Sequence, residues 1–349
     1  MRKPAQIGMH ELSLIKDTLC RHFKLADETS KFTVLQKNML RLQGGNSHYV
    51  FHLQEGSVQR RVFGKITANS EREYRNLQYV TTGVPAGEMQ LSRPIAVVGL
   101  PAGPLLLQEY LEGYSPLVSG RRLRYLVPGR TEALIHAGKT VLNTIYRIQQ
   151  QFRMTWLPLS ADDAAGIPNQ PKAVGVFRQL ETIQALAQET KKRIESRITS
   201  ILGRNLMVRR GLIHGDLGLR NVLTRNGHIS FIDWDYMQEQ GFALLDPCYF
   251  AVILEMRSLQ LMMSKQNVMK IDASLFDHIK DLEGSLIAPN GKPSLDDAIW
   301  FGKCLSLIDT LWWYEKDRSN YAAALLKQRG RQIDFLARSL EQEAVYEHD

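Results

Sequence analysis

Apolar positions follow helical spacing near the start of the chain, then strand spacing, then helical spacing again. Between residues 10 and 23 the apolar side chains Leu12, Leu14, Ile15, Leu19 and Phe23 recur every three to four positions, which predicts an amphipathic helix. From Phe32 the texture changes to short strand-like runs over 38–42, 49–53 and 60–66, the last two parted by the turn Glu55-Gly56-Ser57. A helix fits residues 70–80, with Ser70 as N-cap and Glu71 and Glu73 in the first turn. A second hairpin is expected from 95–98 and 105–110 around Pro101-Ala102-Gly103-Pro104.

After Gly113 the pattern turns helical, over 132–152, 173–202, 247–264, 273–282, 295–314 and 321–343. Only a strand-loop-strand piece within 212–235 interrupts it. Residues 157–172, rich in proline and glycine and holding the acidic pair Asp162-Asp163, read as a mobile loop. No repeat period emerges. The order predicts an α+β chain: a small β-rich N-terminal lobe with a leading helix (1–107), a hinge (108–113) and a larger, mainly helical C-terminal lobe (114–349). Small-molecule sites tend to lie in the cleft at such a junction.

Composition narrows the class. The 349 residues are 44% hydrophobic and 23% charged, ordinary for a globular protein. No apolar run approaches the roughly 20 residues that span a bilayer, and the N-terminus does not resemble a signal segment. Cys20, Cys248 and Cys304 are few, odd in number and far apart, which predicts reduced thiols and a cytoplasmic protein. The net charge of +8 is uneven: residues 121–210 carry 16 Lys+Arg against 6 Asp+Glu, and the remainder 28 against 30. Such a field attracts phosphates, acidic sugars, nucleic acid or an anionic membrane face. A solvated helical face accounts for it equally well.

The densest chemistry lies in Leu212-Ile213-His214-Gly215-Asp216-Leu217-Gly218-Leu219-Arg220-Asn221 and Phe231-Ile232-Asp233-Trp234-Asp235. An Asp in a polar loop, an Asn five residues on and a second Asp behind an apolar run are what phosphoryl transfer from a metal-bound nucleotide requires. One carboxylate orients and deprotonates a hydroxyl, and two oxygen ligands hold Mg²⁺. Upstream, Gly44-Gly45-Asn46-Ser47 between two strands offers backbone that can close over phosphates. Lys65 at the end of the next strand can neutralise them, and Glu73 on the following helix can hold Lys65. The conjunction, in this order, is that of a bilobal kinase.

These residues resemble the aminoglycoside phosphotransferase/choline kinase-like family of small-molecule kinases, with its protein-kinase-like fold, over roughly residues 32–255. The resemblance implies ATP or GTP as phosphate donor, Asp216 as catalytic base, and Asn221 and Asp233 as Mg²⁺ ligands. It also implies Lys65 and Glu73 as the phosphate-binding pair (Glu71 being the alternative to Glu73), and backbone groups of Gln108 and Tyr110 as the contacts of the base. His214 is expected to fix the loop through a ring-to-backbone bond, Asp235 to support the site, and Asp246 to cap the next helix. Gly218 stands where protein kinases usually carry a Lys, which argues against a protein acceptor. A small alcohol is expected instead, of sugar or glycan type and anionic to suit the basic third of the chain. An aminoglycoside or choline-type acceptor, a protein kinase and a catalytically inert nucleotide-binding module are the alternatives.

Overall fold

The computed structural model describes residues 7–26, 30–35, 47–85, 90–113, 130–164, 175–260, 263–286, 295–316 and 323–345. Two compact units emerge. One comprises Met1–Tyr114 with Thr224–Asp235, the other Ser115–Leu223 with Tyr236–Asp349.

The first unit is built on a five-stranded antiparallel sheet, β1 (Lys31–Leu35), β2 (Ser47–Glu55), β3 (Val58–Ile66), β4 (Pro94–Leu100) and β5 (Gly103–Glu109), in the order β1-β2-β3-β5-β4. Alternation along β2 and β3 sends Tyr49, Phe51, Leu53, Val62 and Ile66 to one face. Helix α1 (Met9–Phe23) covers that face with Ile15 and Leu19, both fully buried. Gly64 in β3 lets the strands close up, since a Cβ there would sit 2.6 Å from the Phe51 ring. Helix α2 (Ser70–Gly83) packs on β4 and β5. Its N-cap is Asn69, not the expected Ser70. The buried Ser70 hydroxyl instead donates to the carbonyls of Thr67 (3.0 Å) and Pro104 (2.8 Å), tying the helix start to the β4–β5 turn.

The second unit is mainly helical: α3 (Arg130–Gln151), α4 (Val176–Thr182), α5 (Gln188–Gly203), α6 (Leu245–Gln260), α7 (Lys265–Gly284), α8 (Leu295–Lys316) and α9 (Ala323–Val345). The single helix expected over 173–202 is two, because the carboxylate of Glu315 on α8 accepts the Gln184 and Ala185 amides (2.8 and 2.7 Å) and caps a break between α4 and α5. A three-stranded sheet of β6 (Thr155–Pro158), β7 (Met207–Ile213) and β10 (Gln238–Phe242), in the order β10-β7-β6, was not foreseen beyond β7. A short hairpin, β8 (Val222–Arg225) and β9 (His228–Phe231), part of the first unit from Thr224 on, turns at Asn226-Gly227. Both residues have positive φ, as tight hairpin turns of this sequence require.

Several arginines of the basic third, residues 121–210, are paired within the second unit. Arg209, almost wholly buried in β7, is bidentate to Glu283 (3.0 Å each), bonds Gln149 Oε1 (2.9 Å) and lies over the Tyr146 ring. Arg210 pairs with Asp163, Arg204 with Asp297 and Arg193 with Glu189, while Arg197 stacks on Trp300. Asp163 also accepts the Ser160 amide and hydroxyl, so the acidic pair of the expected mobile loop sits in an ordered turn over 160–164. Residues 165–172 of that loop lie outside the described residues. Among the described residues no helix is long and apolar enough to cross a membrane.

Candidate active site

In the first unit, alternation that buries Val62 and packs Gly64 against Phe51 puts Lys65 on the opposite sheet face, across from His48 on β2 and Leu106 on β5. Its ammonium bonds Glu73 Oε2 at 2.8 Å and Asp233 Oδ1 at 2.5 Å. Side-chain exposure is 6% for Lys65 and 1% for Glu73 but 41% for Asp233, so the carboxylate that faces outward is Asp233. Burial works against the Lys65 charge, yet the Glu73 and Asp233 carboxylates outweigh it and hold the ammonium above its ordinary range. Burial pushes the Glu73 carboxyl up while the Lys65 ammonium pulls it down. The neighbouring His48 imidazole is lowered by burial and then by the Lys65 charge. Glu71 is exposed, which leaves Glu73 as the partner of Lys65.

Of the glycine loop, Ser47 opens β2; Gly44, Gly45 and Asn46 lie outside the described residues, as does the strand expected over 38–42. In the expected hinge the Tyr110 N–H donates to the Arg61 carbonyl (3.3 Å). Gln108 is buried on β5 opposite Phe63, and its Oε1 has no hydrogen-bond partner among the described residues.

In the second unit β7 delivers the His-Gly-Asp segment. Gly215 has φ +80°, and a Cβ there would fall 2.3 Å from the Tyr236 carbonyl oxygen, so the sharp turn before Asp216 admits only glycine. His214, 2% exposed, accepts the Asp216 amide on Nδ1 (3.3 Å), the ring-to-backbone bond expected of it. Asn221 donates Nδ2 to the Asp216 carbonyl (2.7 Å) and lies 3.4 Å from Asp216 Oδ2. Asp233 in the first unit and Asn221 in the second each offer an oxygen donor, the type a hard divalent cation takes. Among the described residues no group of three or more His, Cys, Asp or Glu could hold a metal by itself, so phosphate oxygens and water would have to complete such a site.

Asp246 was expected as a helix cap and does something else. Its carboxylate, 3% exposed at the start of α6, accepts the backbone amides of His214 (2.5 Å) and Gly215 (3.0 Å). Burial pushes its pKa up to about 6 and the two amides hold it there, so it is charged at neutral pH. No local pattern gives this away, since 31 residues separate Gly215 from Asp246. Replacing Asp246 with Asn keeps one acceptor but sets an N–H donor against the second amide. The expected cost is about 1.5–3 kcal/mol of stability, with kcat down roughly 10- to 100-fold through a displaced Asp216. Urea unfolding together with steady-state kinetics checks both; an unaltered kcat would remove the anchoring role.

One unit with a strand lysine paired to a helix glutamate under an antiparallel sheet, and a second, mainly helical unit bearing the His-Gly-Asp loop, define a protein-kinase-like fold. The phosphotransferase enzyme family matches over residues 38–239, and the chain belongs to that family: it is a phosphotransferase of the small-molecule kinase type. No curated protein sequence matches it. Among solved structures it is similar to a thermostable mutant of the aminoglycoside phosphotransferase APH(4)-Ia in ternary complex with AMP-PNP and hygromycin B (TM-score 0.55, 13% identity, 95% of this chain and 99% of that chain covered). The apo form of such a mutant gives a TM-score of 0.51 at 15% identity, covering 93% and 98%. A glucosamine kinase gives 0.52 at 12%, covering 96% and 83%. At these identities the likeness establishes the fold.

Proposed function

We propose that this chain transfers the γ-phosphate of ATP, with GTP as a second donor, to a hydroxyl of a sugar-type small molecule in a Mg²⁺-dependent reaction. The observation that carries this reading is the buried Lys65–Glu73 pair reaching the outward-facing Asp233 carboxylate. A charge arrangement this costly to bury is retained where an anion must be bound. Lys65 would take the phosphates, and Asn221 and Asp233 would hold Mg²⁺, which when bound neutralises charge on the phosphate oxygens. Asp216 takes the proton of the acceptor hydroxyl as its oxygen bonds to the γ-phosphorus. The bond from that phosphorus to the β–γ bridging oxygen breaks, the nucleoside diphosphate leaves, and the proton later passes from Asp216 to solvent. The buried thiols Cys20, Cys248 and Cys304, none of them in a disulfide, suit a reducing compartment, the cytoplasm.

The acceptor follows from charge. Arg204, Arg209 and Arg210 are spoken for by carboxylates, which weakens the case for an anionic acceptor or an anionic surface as partner. Burial and then the Asp216 and Asp309 carboxylates hold the Tyr249 phenol above its ordinary range. The glucosamine kinase and the hygromycin B complex among the structural neighbours act on or bind small-molecule acceptors by their names. Nucleotide consumption with Mg²⁺, measured over neutral sugars, amino sugars, sugar acids and kanamycin-like polyamines, is expected to peak with neutral or amino sugars. Turnover confined to sugar acids restores the anionic acceptor. Turnover confined to polyamines makes the chain a resistance enzyme, and none with any alcohol ends the proposal.

A further inference from the structure

Residues 69, 72, 73 and 76 share one face of the α2 region, at helical spacings of three, four and seven. Glu73 holds Lys65; the other three take hold of the chain around the candidate metal ligand. Asn69 Nδ2 donates to Asp235 Oδ2 at 2.9 Å. Arg72 donates Nε and an Nη to Asp235 Oδ1 at 3.2 and 3.0 Å. Asn76 Nδ2 donates to the Trp234 carbonyl at 2.7 Å and lies 3.3 Å from that of Asp235. The Trp234 indole, 2% exposed, donates back to the Phe231 carbonyl at 3.1 Å and closes the turn.

The need for this grip lies in Asp233. Its φ is +69°, the left-handed region, which costs a non-glycine residue about 1–3 kcal/mol and persists only where surroundings over-determine it. Lys65 holds the Asp233 carboxylate from one side, but a single ammonium does not fix the backbone. The Asp235 side chain is 7% exposed against 47% for Arg72, so this is not an ordinary surface ion pair of negligible worth. Its charge is buried and satisfied by donors from one helix. We propose that Asp235 is a positioning residue: gripped by Asn69, Arg72 and Asn76, it sets the Asp233 carboxylate, so that the placement of α2 governs Mg²⁺ binding. This rests on the reading of Asp233 as a metal ligand.

The test compares wild type with the Arg72→Ala/Asn76→Ala double variant, in which Asp235 keeps the Asn69 donor, and with Asp235→Asn as the conservative variant. Amide hydrogen exchange over residues 231–236 of the full chain, without nucleotide, is expected to speed up at least about 10-fold in the double variant. The Mg²⁺ concentration for half-maximal turnover is expected to rise about 10- to 100-fold, the usual scale for losing partners that orient a metal ligand. Acceptor KM should stay constant, and Asp235→Asn should fall between wild type and the double variant. Unchanged exchange overturns the clamp. Faster exchange with an unchanged Mg²⁺ requirement makes the cluster structural only and overturns the positioning role. A wild type whose nucleotide binding and turnover ignore Mg²⁺ instead brings down the metal reading itself, with the role of Asp235 following it.

Discussion

Asp216→Asn is expected to lower kcat by about 10²-fold or more, the scale of losing a general base. The substitution keeps the shape of the side chain and removes its ability to take a proton. The surrounding loop should survive it, because the bonds that form the loop run through the backbone. The Asp216 amide donates to His214 Nδ1, its carbonyl accepts from Asn221 Nδ2 at 2.7 Å and from the Gly218 amide at 2.8 Å, and Asp246 anchors the preceding two residues. Nucleotide KM should therefore change little while kcat falls. Single-turnover phosphate transfer to a sugar acceptor, with nucleotide affinity measured alongside, separates the two. Transfer at the wild-type rate would show that some other group accepts the proton.

Lys65→Met is expected to act on stability and activity together. The ammonium is the counter-charge of Glu73, whose carboxylate is 1% exposed, and removing one member of a buried pair typically costs about 3–5 kcal/mol. The pH dependence has a definite sign. In the wild type the Lys65 pKa is raised, so its contribution is intact below the ordinary lysine value and is lost only as pH climbs through the higher folded value. In the variant, burial pushes the Glu73 carboxyl up with no ammonium to oppose it. A raised carboxyl contributes stability below its unfolded pKa, near 4.3, and loses it as pH rises through the folded one. The deficit against wild type should thus be smaller near pH 5 than near pH 8. Nucleotide affinity should collapse as well. Denaturant unfolding at both pH values tests the first claim and nucleotide titration the second; a deficit independent of pH would show that Glu73 keeps its charge by other means.

The legible part of this protein was what is written locally. Helix α1, the hairpins of the first unit, α2 and most helices of the second unit followed from apolar periodicity, since each buries one face along its own length. The His214–Asn221 and Phe231–Asp235 segments were legible because their residue types are fixed by chemistry at short spacing. Three errors share one cause. The α4–α5 break comes from Glu315, the ordering of Asp163 from Arg210, and the true task of Asp246 from two amides more than thirty residues upstream. Each is a polar group satisfied by a distant partner, and periodicity carries no information about such partners. The count of Lys and Arg over 121–210 is likewise silent on which of them form internal ion pairs, as Arg204, Arg209 and Arg210 do.

The sequence by itself determined the kind of chemistry, through one acidic loop and one acidic strand end, and the order of elements that carries it. The tertiary structure alone decided which glutamate meets Lys65, what anchors the turn at Gly215, and how Asn69, Arg72 and Asn76 hold the chain beside Asp233. Residue type sets what a group can do, but burial and direction decide whether its charge is free to act, and both exist only once the chain has folded back on itself.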